Sequence, residues 1–292
     1  NYENRIRIAL HNLEEQKQQY LTPEALEIYS PKFLHILENL QDETHTGSHL
    51  IYSQFRKLEG IGILKLVLET NGYAQFKITN KNTGLWRIDI PEADRNKPKF
   101  ALYTGTEMAE EKEIIRKIFN GDWDKLPETL TKDLEAMGEN NIMGDIIKIF
   151  MITASGAEGI SLRNVRYVHL VDPYWHPVRL EQVIGRARRI CSHKDLPPEL
   201  QTVTVYLYLM TFSDAQLSSD TSLELRKKDK GRLTERPLTS DEMLHEMATR
   251  KEAINKKLLR AIKEASIDCS LHGETSENLQ CFAFSQGDTD DS

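Results

Sequence analysis

The 292-residue sequence contains no G-x-x-x-x-G-K-[ST] segment and no Asp-Glu-x-His box behind a strand. Without the first there is no nest of amides for a β-phosphate and no hydroxyl for magnesium, so the chain by itself should not hydrolyse ATP. A G-x-G-x-x-G after the first strand and any suggestive Ser-His or Cys-His arrangement are also missing, which leaves little support for a dinucleotide-type enzyme or a nucleophilic hydrolase. Three cysteines, Cys191, Cys269 and Cys281, are too few for a disulfide framework and fit a reducing, intracellular compartment. Cys269, His272 and Cys281 lack a fourth ligand and a normal zinc spacing, so no metal site is expected. No apolar run is long enough to span a bilayer, and Asn1-Tyr2-Glu3-Asn4 does not have the form of a signal peptide, so no membrane partner is expected. The initiator Met is absent too, and the chain reads as an excised piece of a longer protein. A net charge of −7 excludes a uniformly basic nucleic-acid coat but leaves local basic edges open.

What is present concentrates between residues 151 and 194. Ser155-Gly156-Ala157-Glu158-Gly159-Ile160-Ser161-Leu162 precedes Asp172-Pro173-Tyr174-Trp175-His176-Pro177, and Gln182-Val183-Ile184-Gly185-Arg186-Ala187-Arg188-Arg189 follows. Taken singly, each piece has an ordinary reading: a strand-to-helix turn, a chain turn with a core aromatic, a solvated basic helix face. In fixed order they give one another context. Arg supplies a planar charged fork suited to a phosphoryl group, and Arg186 and Arg189, three residues apart, would share one face of a helix over Leu180 to Ile190. Gly185 would let a neighbouring backbone approach.

These segments resemble motifs V and VI of superfamily 2 helicases and translocases, and most closely the Swi/Snf-type ATPases. His49 to Phe55 resembles motif IV, and Thr104-Gly105-Thr106 with Phe119-Asn120 resembles the family's D-G-S-T turn and its closing Phe-Asn. Ser53-Gln54-Phe55-Arg56-x-x-Glu59-Gly60, Gly156 to Arg166 and Ser266-Ile267-Asp268-Cys269 are similar to ATPases of nucleocytoplasmic large DNA viruses, of the poxvirus nucleoside triphosphatase and early transcription factor small subunit type. The resemblance implies an α/β fold: the second RecA-like lobe, a parallel sheet flanked by helices, with N-terminal helices and a long C-terminal helix. It implies that ATP and Mg2+ are held mainly by a first lobe outside this chain. Arg186 and Arg189 would reach the γ-phosphate, with Arg189 in the stronger role and Arg188 in place of the usual His. Gln182, Gly185, Gly159 and Glu158 would form the nucleotide side. Ser53, Gln54, Thr104, Gly105, Thr106, Ser155 and Trp175 would face nucleic acid, with DNA favoured. The implied partners are the first lobe, nucleic acid and transcription machinery, in a virion or host cytoplasm. A module that binds nucleic acid or protein without catalysis is the alternative.

Helical spacing of Ile6, Ala9, Leu10, Leu13 and Tyr20, then Thr22-Pro23 and Ser30-Pro31, predicts helices over residues 1–46. The lobe is expected over 47–212, with insertions at 74–96 (a small hairpin around Asn82-Thr83-Gly84) and 121–144. Strands are expected within 49–55, where the run ends in a polar turn, and at 99–103, 146–153, 165–171 and 202–210, with His169 as a hydrogen-bonded core residue. A charged linker (213–238) carries the basic run Arg226 to Arg232, most simply a solvated segment. In the helical extension (239–284), Thr239-Ser240-Asp241-Glu242 is a capping-box start. The stripe Met243, Met247, Ile254, Leu258, Ile262 and Ala265 needs a partner, for which packing on the lobe is the simpler expectation and docking on another subunit or on the missing first lobe the alternative. The acidic tail, 285–292, should be disordered.

Overall fold

Apolar runs bounded by polar turns become the central strands of one sheet, as runs buried on both faces do. β1 (Ser48–Tyr52), β2 (Ala74–Gln75), β5 (Lys99–Tyr103), β6 (Ile149–Ile152), β7 (Val165–Leu170) and β8 (Thr204–Leu207) lie in the order β2-β5-β6-β1-β7-β8, with every pairing parallel. β3 (Ile78–Thr79) and β4 (Arg87–Ile88) form a separate antiparallel hairpin. The structure, a computed structural model, describes residues 2–58, 60–81, 84–105, 107–154, 159–218, 237–272 and 279–282. The architecture is α/β, a six-stranded parallel sheet flanked by helices.

Alternation along the strands divides the core in two. Leu50, Tyr52, Ala101, Phe150, Ile152, Val168 and Leu170 face one layer, made by the hairpin, α6 (Ala109–Asn120), α7 (Glu128–Glu135) and α8 (Pro177–Ala187). Ile51, Phe100, Ile149, Met151 and Val171 face the other. That second layer is built from α3 (Pro23–Tyr29), α4 (Pro31–Gln41) and α5 (Ile61–Thr70), with α1 (Tyr2–Glu15) and α2 (Lys17–Tyr20) packed around them. Leu26, Phe33, Ile36, Leu37 and Leu40 are buried there, so the helices of residues 1–46 are part of the lobe's core on that face of the sheet.

The two insertions belong to this core as well. Residues 74–96 contribute edge strand β2 before forming the hairpin, and α7 clasps that hairpin through Arg87 to Asp133 at 3.0 Å and Thr129 Oγ1 to the Trp86 carbonyl at 2.9 Å. Asn141, in the second insertion, is buried. Its Nδ2 donates to Phe119 O, and its Oδ1 accepts from the amides of Ile146 and Ile147, fixing the entry to β6.

α9 (Asp214–Ser218) follows β8, and α10 (Ser240–Glu264) and α11 (Ile267–His272) form the extension. α10 opens with the capping box between Thr239 and Glu242. Its first turn is anchored by Asp241, which pairs with Lys32 and accepts the Met210 amide, and by Thr239 Oγ1 donating to Met210 O. The expectation that the apolar stripe packs on the lobe is corrected. Ala248 is the buried residue of α10, whereas Met243, Met247, Ile254, Leu258 and Ile262 are exposed, because the helix leaves the lobe after crossing α8. The cysteine expectation is corrected as well: Cys269 and Cys281 form a disulfide, and Cys191 stays free. Phe282 N donates to Glu264 O at 2.8 Å, folding this segment back on the end of α10, a long-range approach that spacing does not reveal. No helix among the described residues is long and apolar enough to cross a membrane.

Candidate nucleotide and nucleic-acid interface

In a parallel sheet all carboxyl ends lie on one edge, where ligands bind. The ends of β1, β5, β6 and β7 therefore bring Ser53-Gln54, Thr104-Gly105, Thr153 and Asp172 to one edge, although they are up to 119 residues apart in sequence. Hydrogen bonds join these ends. Ser53 Oγ donates to Asp172 Oδ2 at 2.5 Å, Gln54 N donates to the same oxygen at 3.2 Å, and Thr153 Oγ1 donates to Thr104 O at 3.1 Å. Burial pushes the Asp172 carboxyl above its usual range, and the Ser53 hydroxyl, the Lys32 charge and the Gln54 amide oppose that shift.

Two expected contact residues change role at this point. Ser53 is fully buried and its hydroxyl, which also accepts from Phe55 N, ties the β1 turn to the β7 turn, so in this structure it presents no surface to nucleic acid. Thr104 is also buried, with its amide and hydroxyl both donating to the Glu107 carboxylate. Gly105 is exposed at φ 88°, a left-handed conformation suited to glycine, and its amide donates to Glu107. Gln54 is half-buried. Thr106, Ser155 and Glu158 lie outside the described residues. Gly159 sits at φ 73° with open space around it.

The Asp172-Pro173 turn exposes Trp175 and stacks Arg179 over Tyr174, 4.5 Å from its centroid. Lys251 of α10 lies 3.8 Å from the centroid of Trp175. His176 then caps α8, its Nδ1 accepting from Val178 N, with Pro177 in the first turn. α8 buries Val183 and Ala187 against the sheet, and its carbonyl at Arg186 accepts from Leu162 N, so the helix is locked to the segment after Gly159.

The shared helical face expected for Arg186 and Arg189 is corrected. α8 ends at Ala187, with Arg186 in its last turn and Arg189 beyond its cap. The cause is local: Ser192 Oγ donates to Ala187 O at 3.1 Å and is buried beside His193, while Asn164 N donates to Ser192 O. This anchor pulls the chain off the helical path, and Cys191 takes φ 59° to make the turn. Over Gly185, apart from its own helix backbone and chain neighbours, no described atom lies within 4 Å of where a Cβ would be, so the space there is open.

Neither Arg186, Arg188 nor Arg189 has an ion-pair partner among the described residues, and Arg186 Nε is enclosed without a hydrogen-bond acceptor. Gln182 is exposed beside them, and Ile190 is 97 % exposed. A guanidinium with an enclosed, unsatisfied donor suits an incoming anion. Among the described residues no cluster of His, Cys, Asp or Glu could hold a metal ion.

Residues 101–191, from β5 to just past α8, match the family described as helicase conserved C-terminal domain. Over these residues the chain is similar to helicase C-terminal domains. It is similar to a termination factor NPH-I homolog of African swine fever virus, 31% identical over 267 residues that cover 84% of this chain and 34% of that protein. It is also similar to the "Putative ATP-dependent RNA helicase" of Acanthamoeba polyphaga mimivirus, 29% identical over 87% of this chain and 26% of that protein. The chain thus spans about a third or less of these relatives. The solved C-terminal part of the Fun30 ATPase domain covers 75% of this chain and 52% of its own at 17% identity, with a TM-score of 0.38, too low to carry an argument.

Several positioning residues escaped the sequence. Asn120 donates to Ser161 O and accepts from Arg163 N, holding the turn that leads into β7. Asp172 is the hub between two motif turns. Gly60 is packed so tightly that a Cβ there would lie 2.3 Å from Ser53 Oγ and 2.1 Å from Phe55 O. Its signal was the Glu59-Gly60 spacing behind Ser53.

Proposed function

We propose that this chain is the second lobe of an ATP-dependent helicase or translocase, closing on ATP and Mg2+ held by a first lobe encoded elsewhere in the protein. The observation that carries the reading is the set of arginines at the end of α8 and just beyond it, which have no ion-pair partner among the described residues, with Arg186 Nε enclosed and without an acceptor among them. Closure would bring Arg186 and Arg189 to the γ-phosphate, where fixed positive charge is worth about 10³ to 10⁵ in rate. Open space over Gly185 and the bare side chain of Ile190 support a face that another domain covers. Gln182 would align the nucleotide side, and the Gly159 turn, with Glu158 and Ser155, would link it to the nucleic-acid side.

Gln54, Gly105 and Trp175, with Thr106 and Ser155, would hold a nucleic-acid backbone, and DNA is favoured. Such contacts position a strand without reading its bases. Transcription machinery is the proposed setting, since relatives include termination factor homologues. The test is nucleic-acid-stimulated ATP turnover by the full-length protein. Trp175→Ala and Gln54→Ala should raise the DNA concentration needed for half-maximal stimulation about tenfold while leaving unstimulated turnover unchanged. Unaltered stimulation in both variants would remove the nucleic-acid assignment and favour a protein-binding module.

A further inference from the structure

Behind the Asp172 turn lies a cavity of about 450 Å³, within the range of small-molecule sites and away from the arginines. Its walls are apolar side chains from the N-terminal helices, α5 and the segment after β8: Leu13, Tyr20, Leu26, Phe33, Ile63 and Met210. Two charged groups reach it. Lys32 is committed to its ion pair with Asp241. Asp172 places both of its hydrogen bonds on Oδ2, from Ser53 and Gln54, and its Oδ1 has no hydrogen-bond partner among the described residues. No cation lies within ion-pair distance of Asp172 among them either. The cavity therefore offers a large apolar body one negative hydrogen-bond acceptor.

We propose that this cavity binds a small molecule with an apolar or aromatic body and one protonated amine, the amine donating to Asp172 Oδ1. The ligand would add a bond to the carboxylate that ties the ends of β1 and β7, and would touch Met210, whose backbone anchors the start of α10. The site does not depend on the ATPase reading. A charge-assisted hydrogen bond in a partly enclosed site should favour the amine over its neutral isostere by about tenfold or more.

The test is a methyl NMR titration of this chain with phenethylamine, 2-phenylethanol and phenylacetate. Phenethylamine should give saturating shifts at the methyls of Leu13, Leu26, Ile63 and Met210, 2-phenylethanol should bind about tenfold more weakly, and phenylacetate should not saturate. Asp172→Asn should erase the difference between amine and alcohol. Ile63→Trp, a larger side chain at a half-buried wall position, should abolish saturation by both in a chain whose spectrum remains folded. Absence of saturation with all three compounds, equal binding of phenylacetate and phenethylamine, or an amine preference that survives in Asp172→Asn would overturn the proposal. The comparison of the three compounds on the unaltered chain stands even if Asp172→Asn fails to fold.

Discussion

At the scale of single residues, burial decides what each polar group can do. His49 and His169 are both fully buried; His49 Nδ1 lies 3.0 Å from His169 Nε2, and His169 Nδ1 lies 2.8 Å from the Tyr208 hydroxyl, which accepts from Asn39. The chain of bonds works with both rings neutral, and it leaves His49 Nε2 without a hydrogen-bond partner among the described residues. Burial holds the His49 pKa well below its usual value and pushes that of His169 down to about 3. The unfolded chain therefore binds protons at these sites before the folded one does. The stability they protect is complete above pH of about 6.5 and is lost as pH falls towards 3; for His169 alone the loss is roughly 3 kcal/mol by pH 4. Denaturant midpoints measured between pH 7 and 4 should fall steadily, and a flat profile would contradict the neutral pair. His169 was legible as a core residue because it interrupts an apolar run. Its bond to His49 was not, because it depends on how β1 registers against β7. The same limit explains Ser53, whose hydroxyl at a strand end gives no sign of the carboxylate 119 residues away that claims it.

At the scale of elements, close packing fixes the turns that carry the motifs. Gly60 has no room for a Cβ beside Ser53 Oγ and the Phe55 carbonyl. Gly60→Ala should therefore destabilise the lobe by about 1–3 kcal/mol, seen as a lower denaturant midpoint with an unchanged slope. An unaffected midpoint would mean that the turn relaxes freely. Thr239→Ala removes the cap of α10 and should cost about 1 kcal/mol, raising hydrogen exchange in the first turn of α10 while the sheet amides keep their protection. The α10 start was readable from Thr239 and Glu242, because a capping box is local chemistry. The end of α8 was not: the run from Leu180 to Ile190 is helical by pattern, and the buried Ser192 and His193 that stop it at Ala187 act through contacts with a distant strand. Hydrophobic periodicity likewise located the α10 stripe without saying whether the lobe would cover it.

At the scale of the whole molecule, the strands, their parallel order and the edge that gathers the motif turns follow from apolar runs alternating with amphipathic helices, a pattern that leaves few topologies open. The insertions resisted because their residues serve two surfaces: residues 74–96 supply both an edge strand and a hairpin that α7 covers. The lobe reading makes its sharpest demand on the arginines beyond the sheet, which have no partner among the described residues. It predicts that in the full-length protein, with saturating nucleic acid, Arg189→Ala lowers ATP turnover by about 10³ or more while ATP affinity stays within about threefold of the unaltered protein. Arg188→Ala should have a much smaller effect. Turnover in Arg189→Ala equal to that of the unaltered protein would contradict the proposed role of this lobe in ATP hydrolysis.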